Sequence, residues 1–142
     1  MSSIKANLID FGILEPQKEA LEKVSDSAAT TGYTLTADQM QVKAHTDSIP
    51  ARPGIAFGIK YEIEGDQADG EVAYQRRIIH PAIQNPAGEI RTERVDIRGE
   101  KPGSTTFDFF RFDKEYEMQL GNWTFQLLDG PDVLLEKTFH VE

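Results

Sequence analysis

The chain has 142 residues, 39% hydrophobic and 27% charged, which suits one soluble globular domain with a real core and is too apolar for a disordered chain. It has no cysteine, which excludes a disulfide scaffold, a zinc–thiolate site and a cysteine nucleophile. Lys and Arg total 15 against 24 Asp and Glu, a net charge of −9. A surface this acidic repels nucleic-acid phosphates, and with no long apolar run the sequence offers no membrane span.

From the N-terminus, no apolar stretch of signal-peptide length follows Met1, so a cytoplasmic location is expected, or a periplasmic one if a leader has been removed. Residues 4–14 carry apolar side chains on both parities and read as a strand, better defined in its second half. At residues 16–24, Pro16 suits a first helical turn, and Ala20, Leu21 and Val24 have helical spacing. A short helix competes there with an extended edge segment. Tyr33 and Leu35 share one parity, and Met40, Val42 and Ala44 the other. That switch predicts a bulge, or a crossing between sheets, near residues 37–39.

Residues 54–63 alternate cleanly. Ile55, Phe57, Ile59, Tyr61 and Ile63 form the apolar set of a half-buried strand. Gly54 and Gly58 share its other face and leave room for a close neighbour such as a large ring. Further strands are expected at 71–79 (Val72, Tyr74, Ile78), at 89–98 (Ile90, Val95, Ile97, with a parity switch) and at 105–112. The last has Phe107, Phe109, Phe110 and Phe112 on both faces, so one set belongs in the core and the other beneath a loop or at an interface. Trp123, Phe125 and Leu127, the turn residues Asp129-Gly130-Pro131-Asp132, and Val133, Leu135, Phe139 and Val141 then read as a β-hairpin. Lys137 falls on the apolar parity of its second strand. Its stem should follow the sheet rim, or a bulge should turn it outward. Gly and Pro punctuation between short strands describes an antiparallel sandwich.

Certain motifs carry a resemblance. They are Ile49-Pro50-Ala51 leading to Phe57-Gly58, the dipeptide His80-Pro81, Gly121-Asn122-Trp123-Thr124-Phe125, and the closing Phe139-His140-Val141. Together they resemble the bacterial family called domain of unknown function 3859. The resemblance runs from about Phe11 to the end of the chain. It implies an immunoglobulin-like sandwich and no established activity. The expected fold is therefore a single all-β domain over 1–142. It is an immunoglobulin-like antiparallel β-sandwich of about seven to nine strands, with a short helix near 16–24. Trp123, Phe57, Ile59, Phe125, Leu135 and Phe139 are its expected core.

Reactive constellations are scarce. His45, His80 and His140 lack the spacing of a local metal site and read as surface or hydrogen-bonded residues. The acidic turn at 64–71 has the wrong spacing for an EF-hand and reads as a solvated loop. Asp113, Glu115 and Glu117 read as one solvated strand face. No nucleophile elbow, phosphate loop or dinucleotide fingerprint occurs. Arg76, Arg77, Arg91, Arg94 and Arg98 fall in two adjacent predicted strands, interleaved with Glu71, Glu89, Glu93 and Asp96. They read as cross-strand ion pairs or, functionally, as a basic patch for a carboxylate or phosphate. Candidate binding residues are Arg76, Arg77, His80, Arg91 and Arg94.

The expected function is a non-catalytic protein-interaction module, not an enzyme, with no cofactor and no metal. A basic protein partner fits the charge. Alternatives are a small acidic inhibitor or immunity-type protein masking a basic partner, and a ligand- or metal-binding sandwich. A homodimer through an edge strand, at 4–14 or 105–112, is a further expectation.

Overall fold

The computed structural model describes residues 4–16, 40–65 and 70–142. Alternation of apolar and polar residues is realised as strands β1 (Lys5–Pro16), β2 (Met40–Ala44), β3 (Ser48–Ile49), β4 (Ala56–Glu64), β5 (Val72–Gln84), β6 (Ile90–Glu100), β7 (Thr105–Arg111), β8 (Gly121–Asp129) and β9 (Asp132–Val141). They form two sheets, ordered β2-β1-β4-β7 and β3-β9-β8-β5-β6. Every pairing is antiparallel except the short parallel contact of β3 with β9. The sandwich read from the sequence is therefore the observed architecture.

The chain changes sheets between β2 and β3, across His45–Thr46–Asp47. The crossing expected near 37–39 lies outside the described residues. So does most of the helix expected at 16–24. Pro16, its first residue, instead ends β1 in register with Met40, because antiparallel pairing with β2 carries the strand that far.

The inward parity of β4 supplies Phe57, Ile59, Tyr61 and Ile63, all fully buried. Phe57 is the hub. Its ring centroid lies 5.4 Å from Phe112, 5.6 Å from Trp123, 5.7 Å from Phe125 and 5.4 Å from Phe139. Trp123 is fully buried and its indole N–H donates to the Gln119 carbonyl at 3.0 Å. Of the expected core, Leu135 alone is half-buried, packed against the edge of the cluster. The aromatics at 105–112 divide by parity into two clusters. Phe110 and Phe112 pack with the central cluster, while Phe107 and Phe109 join Leu14, Met40 and Ala56 in a second one.

The glycines behave differently from the expectation. Gly54 is an exposed turn residue with φ 84° and open space around it. Gly58 pairs with Phe109, and a Cβ there would collide with the Asp108 carbonyl oxygen and the Phe109 backbone. Gly58 thus admits a neighbouring strand rather than a ring.

The β8–β9 hairpin turns at Gly130, with φ 57°, followed by Pro131. A positive and then a negative φ is the sign pattern of a II′ turn, which matches strand twist. Lys137 stands opposite Phe125 and so points inward. Its ammonium lies 3.9 Å from the Phe11 ring centroid and 3.5 Å from Asp47. The hairpin does contain a register shift, but at Leu127/Leu128, where it does not turn Lys137 out.

Trp123→Ala is expected to lower the unfolding free energy by about 3–5 kcal/mol, because the indole cannot be replaced by collapse of its rigid aromatic neighbours. Urea unfolding followed by circular dichroism checks this; a loss below about 1 kcal/mol would contradict its central place.

Candidate functional site

β6 and β7 are the last strands of their sheets, on the same side of the sandwich, and no backbone ladder joins them. Side chains do. Asp108 sits on the inward parity of β7 opposite Ile59 and is 1% exposed. Arg94 of β6 donates to its Oδ1 at 2.7 Å, and Arg76 of β5 lies 3.8 Å from the same oxygen. Arg76 also makes two hydrogen bonds to Asp96, at 2.8 and 2.6 Å. Arg98 contacts Glu100 at 2.6 Å and donates to Thr106 of β7 at 3.1 Å. Beside them the hydroxyls of Tyr61 and Tyr74 lie 2.6 Å apart. Inward charges on an edge strand discourage pairing with another chain.

Burial controls the titration of this layer. Desolvation pushes the Asp108 carboxyl above the usual range, with Arg94 and Arg76 pulling against it. Hydrogen bonds from Arg76 hold Asp96 below its ordinary 3.8. Burial lowers Arg76, but the bond to Asp96 and the nearby Asp108 charge raise it by more, so it stays protonated. Burial pushes Tyr74 up to about 12, and it raises Tyr61 as well.

At one end of this side the strands part around a cleft of about 350 Å³. Its walls come from the end of β5, the start of β6, the end of β7 and a short 3-10 helix, Glu115–Glu117. The register of β5 against β6 shifts between Ile79 and Ile83, and this bulge carries His80 and Pro81. Proline suits a bulge, where no ladder N–H is required of it. His80 is 8% exposed and stacks on Trp123 with ring centroids 4.9 Å apart. Its Nδ1 lies 2.7 Å from the Pro81 carbonyl oxygen. A carbonyl only accepts, so Nδ1 carries the hydrogen in the neutral ring and Nε2 the lone pair. Nε2 has no hydrogen-bonding partner among the described residues.

Opposite stands the 3-10 helix. The Glu117 carboxylate accepts the backbone N–H groups of Asp113 at 3.0 Å and Lys114 at 2.7 Å. The strand face expected for Asp113, Glu115 and Glu117 is thus replaced by a turn. β7 ends at Arg111, Phe112 still exchanges backbone hydrogen bonds with Gly54 and Ile55, and Glu117 caps the helix that follows.

The candidate residues divide. His80, Arg91 and Arg94 line the cleft, whereas Arg76 lies behind it and Arg77 outside its walls. The expected cross-strand ion pairs form: Arg76 with Asp96, and Arg77 with Glu93 at 2.6 Å. Arg91 pairs with Glu89 at 3.2 Å. Sequence reasoning missed Asp108 and Tyr116, and read Phe110 only as a packing aromatic and Glu117 as part of a solvated face. Asp108 had a readable signal, a charge on the same parity as Phe110 and Phe112.

β6 is also an edge that the sequence did not single out. Its Ile90, Val95 and Ile97 are 64%, 49% and 73% exposed. β7 is an edge, as expected. The other expected edge, 4–14, is flanked by β4 and, from Ile13 onward, by β2, so only its first part lies open among the described residues. His45 pairs with Asp10 at 2.7 Å, and His140 with Asn122 at 3.2 Å. Of the acidic turn, residues 66–69 lie outside the described residues; among those described, no His, Cys, Asp and Glu group has the form of a metal site. No helix among them is long and apolar enough to cross a membrane.

Comparison with known proteins supports the same fold. An immunoglobulin-like protein (PA1606) from Pseudomonas aeruginosa superposes with a TM-score of 0.72 at 19% sequence identity, covering 99% of this chain and 98% of that one. The sequence model of a family described as Domain of unknown function (DUF3859) matches residues 2–141. No functionally curated protein matches the chain.

Two outcomes follow from the buried layer. Because Tyr61 and Tyr74 are both raised, absorbance at 295 nm in the native protein at about pH 11 should fall short of the signal for all 4 tyrosines and reach it only on unfolding. Asp96 has a lowered native value, so its stabilising contribution is full above 3.8 and is lost as pH falls through that native value. Asp96→Asn should therefore weaken the fold at pH 7 and flatten the acid limb below 3.8 in urea unfolding across a pH series.

Proposed function

Since the chain belongs to the DUF3859 family of domains of unknown function and is an immunoglobulin-like sandwich, we propose that it is a non-catalytic protein-interaction module that takes an extended partner segment along the open edge of β6. One observation carries this reading. Glu93 and Val95 point to one face of β6 and Arg94 to the other, yet all of them line the cleft. A cavity that touches both parities of a strand borders its edge or its end, and residues 93–95 lie inside β6 rather than at its end. A segment added there gains main-chain hydrogen bonds from β6 and places a side chain in the cleft. Exposed Val95 and Ile97 supply cross-strand apolar contacts. His80, Arg91 and Arg94 are the proposed contact residues within the cleft. Arg76 supports them from behind by holding Asp108 and Asp96, and Arg77 does so from the outer face by holding Glu93. The net charge of −9 favours a basic partner through long-range attraction.

Selection of a random peptide library on the intact protein tests the proposal. Enriched peptides are expected to be extended and to slow amide exchange along 90–98. The double variant Val95→Lys/Ile97→Lys alters exposed side chains, so it should fold normally and bind the same peptides about tenfold more weakly. Undiminished binding by that variant, or protection confined to another strand, overturns the reading.

A further inference from the structure

We infer that the cleft beside β6 is a site for a basic side chain, an ammonium or guanidinium group carried by the partner segment. This rests on the strand-addition reading for how the side chain is delivered, but the chemistry of the site stands on the cleft alone.

The charges that line the cleft cancel pairwise. Arg91 is met by Glu89, Arg94 by Asp108, and Glu93 by Arg77. The Arg94 Nε lacks a partner but is itself buried; two further groups are left over, and both are acceptors. Glu117 is held by backbone N–H groups and has no cation within 4.0 Å among the described residues. His80 is more than nine-tenths buried, with Nδ1 committed to the Pro81 carbonyl, so in the neutral ring its Nε2 offers a lone pair and no hydrogen. A ligand must donate to both. A positive charge gains further because Glu117 is uncompensated and the whole chain carries −9.

The remaining surface suits the body of such a side chain. Phe110 and Tyr116 present aromatic rings that attract a cation, and Ile83 gives a methylene stem apolar contact. An anion would have to approach a carboxylate and a lone pair, while the arginines nearby already have their counter-charges. The arrangement therefore selects against the carboxylate or phosphate that the arginine-rich sequence suggests.

The test uses the intact, isotope-labelled protein and small probes. Titration with n-butylammonium and with ethylguanidinium should give saturable NMR shifts at His80, Phe110 and Glu117, with Kd in the millimolar range, about 1–10 mM. Glu117→Gln keeps an acceptor for the backbone N–H groups and removes the charge. His80→Phe keeps a ring against Trp123 and removes Nε2. Each should weaken binding about tenfold, while the circular dichroism stays unchanged. No saturation by roughly 100 mM, equal binding by both variants, or tighter binding of acetate or phosphate with shifts at Arg91 and Arg94 overturns the inference. The two proposals fail separately. Selected peptides that pair with β6 without any preference for Lys or Arg would leave strand addition standing and remove the basic-side-chain site. Saturable cation binding with no peptide on β6 would do the reverse.

Discussion

The indole of Trp123 ties the core of this sandwich to the cleft on its surface. One part of it packs edge-on against Phe57, the centre of the aromatic cluster between the sheets. Another lies against His80, the buried member of the cleft, and its centroid is 4.9 Å from that of Phe110 on β7. Its N–H is bonded to Gln119, just beyond the 3-10 helix that carries Tyr116 and Glu117. The walls of the cleft, from β5, β7 and the helix, are thus held to one rigid, fully buried side chain. Close packing makes such positions stiff. A site whose parts rest on the core keeps its shape without a ligand, which lowers the ordering cost of binding.

A second constraint sets where that cleft opens. Two sheets that never close into a barrel leave edges, and an open edge invites uncontrolled pairing. Here the β7 edge carries Asp108 inward, and Arg94 reaches across from the other sheet to meet it. Replacing such a buried charge layer with apolar residues is often neutral or stabilising, so its presence is weak evidence for stability. It pins β6 to β7 by side chains while leaving the outer backbone of β6 without a strand beside it among the described residues. The edge that remains is the one beside the cleft, which is the physical reason for joining the two in one function.

The sequence carried the arrangement of strands because alternation is a local signal. Phe57, Ile59, Tyr61 and Ile63 announce a buried face without reference to any partner. The same holds for the β8–β9 hairpin, whose turn residues are adjacent in the chain. The immunoglobulin-like resemblance was legible for the same reason, since its motifs sit on those strands. Gly58 was misread because its neighbour is β7, some fifty residues away, and nothing local distinguishes a strand from a ring.

The site was legible only in pieces. Composition and spacing brought forward His80 and the arginines, and predicted that the arginines would find carboxylates on the neighbouring strand. They did not say that Arg94 would cross to Asp108, that Arg77 would face away, or that Glu117 would be left with backbone partners alone. Those facts depend on which strands end each sheet and on where a bulge turns His80, and such choices are settled by long-range packing. The sequence by itself determined the all-β class, the inward faces and the absence of cysteine chemistry, because each follows from residue type and local period. The tertiary structure alone decided which charges cancel and which acceptors remain, because cancellation is a matter of distances between strands far apart in the chain.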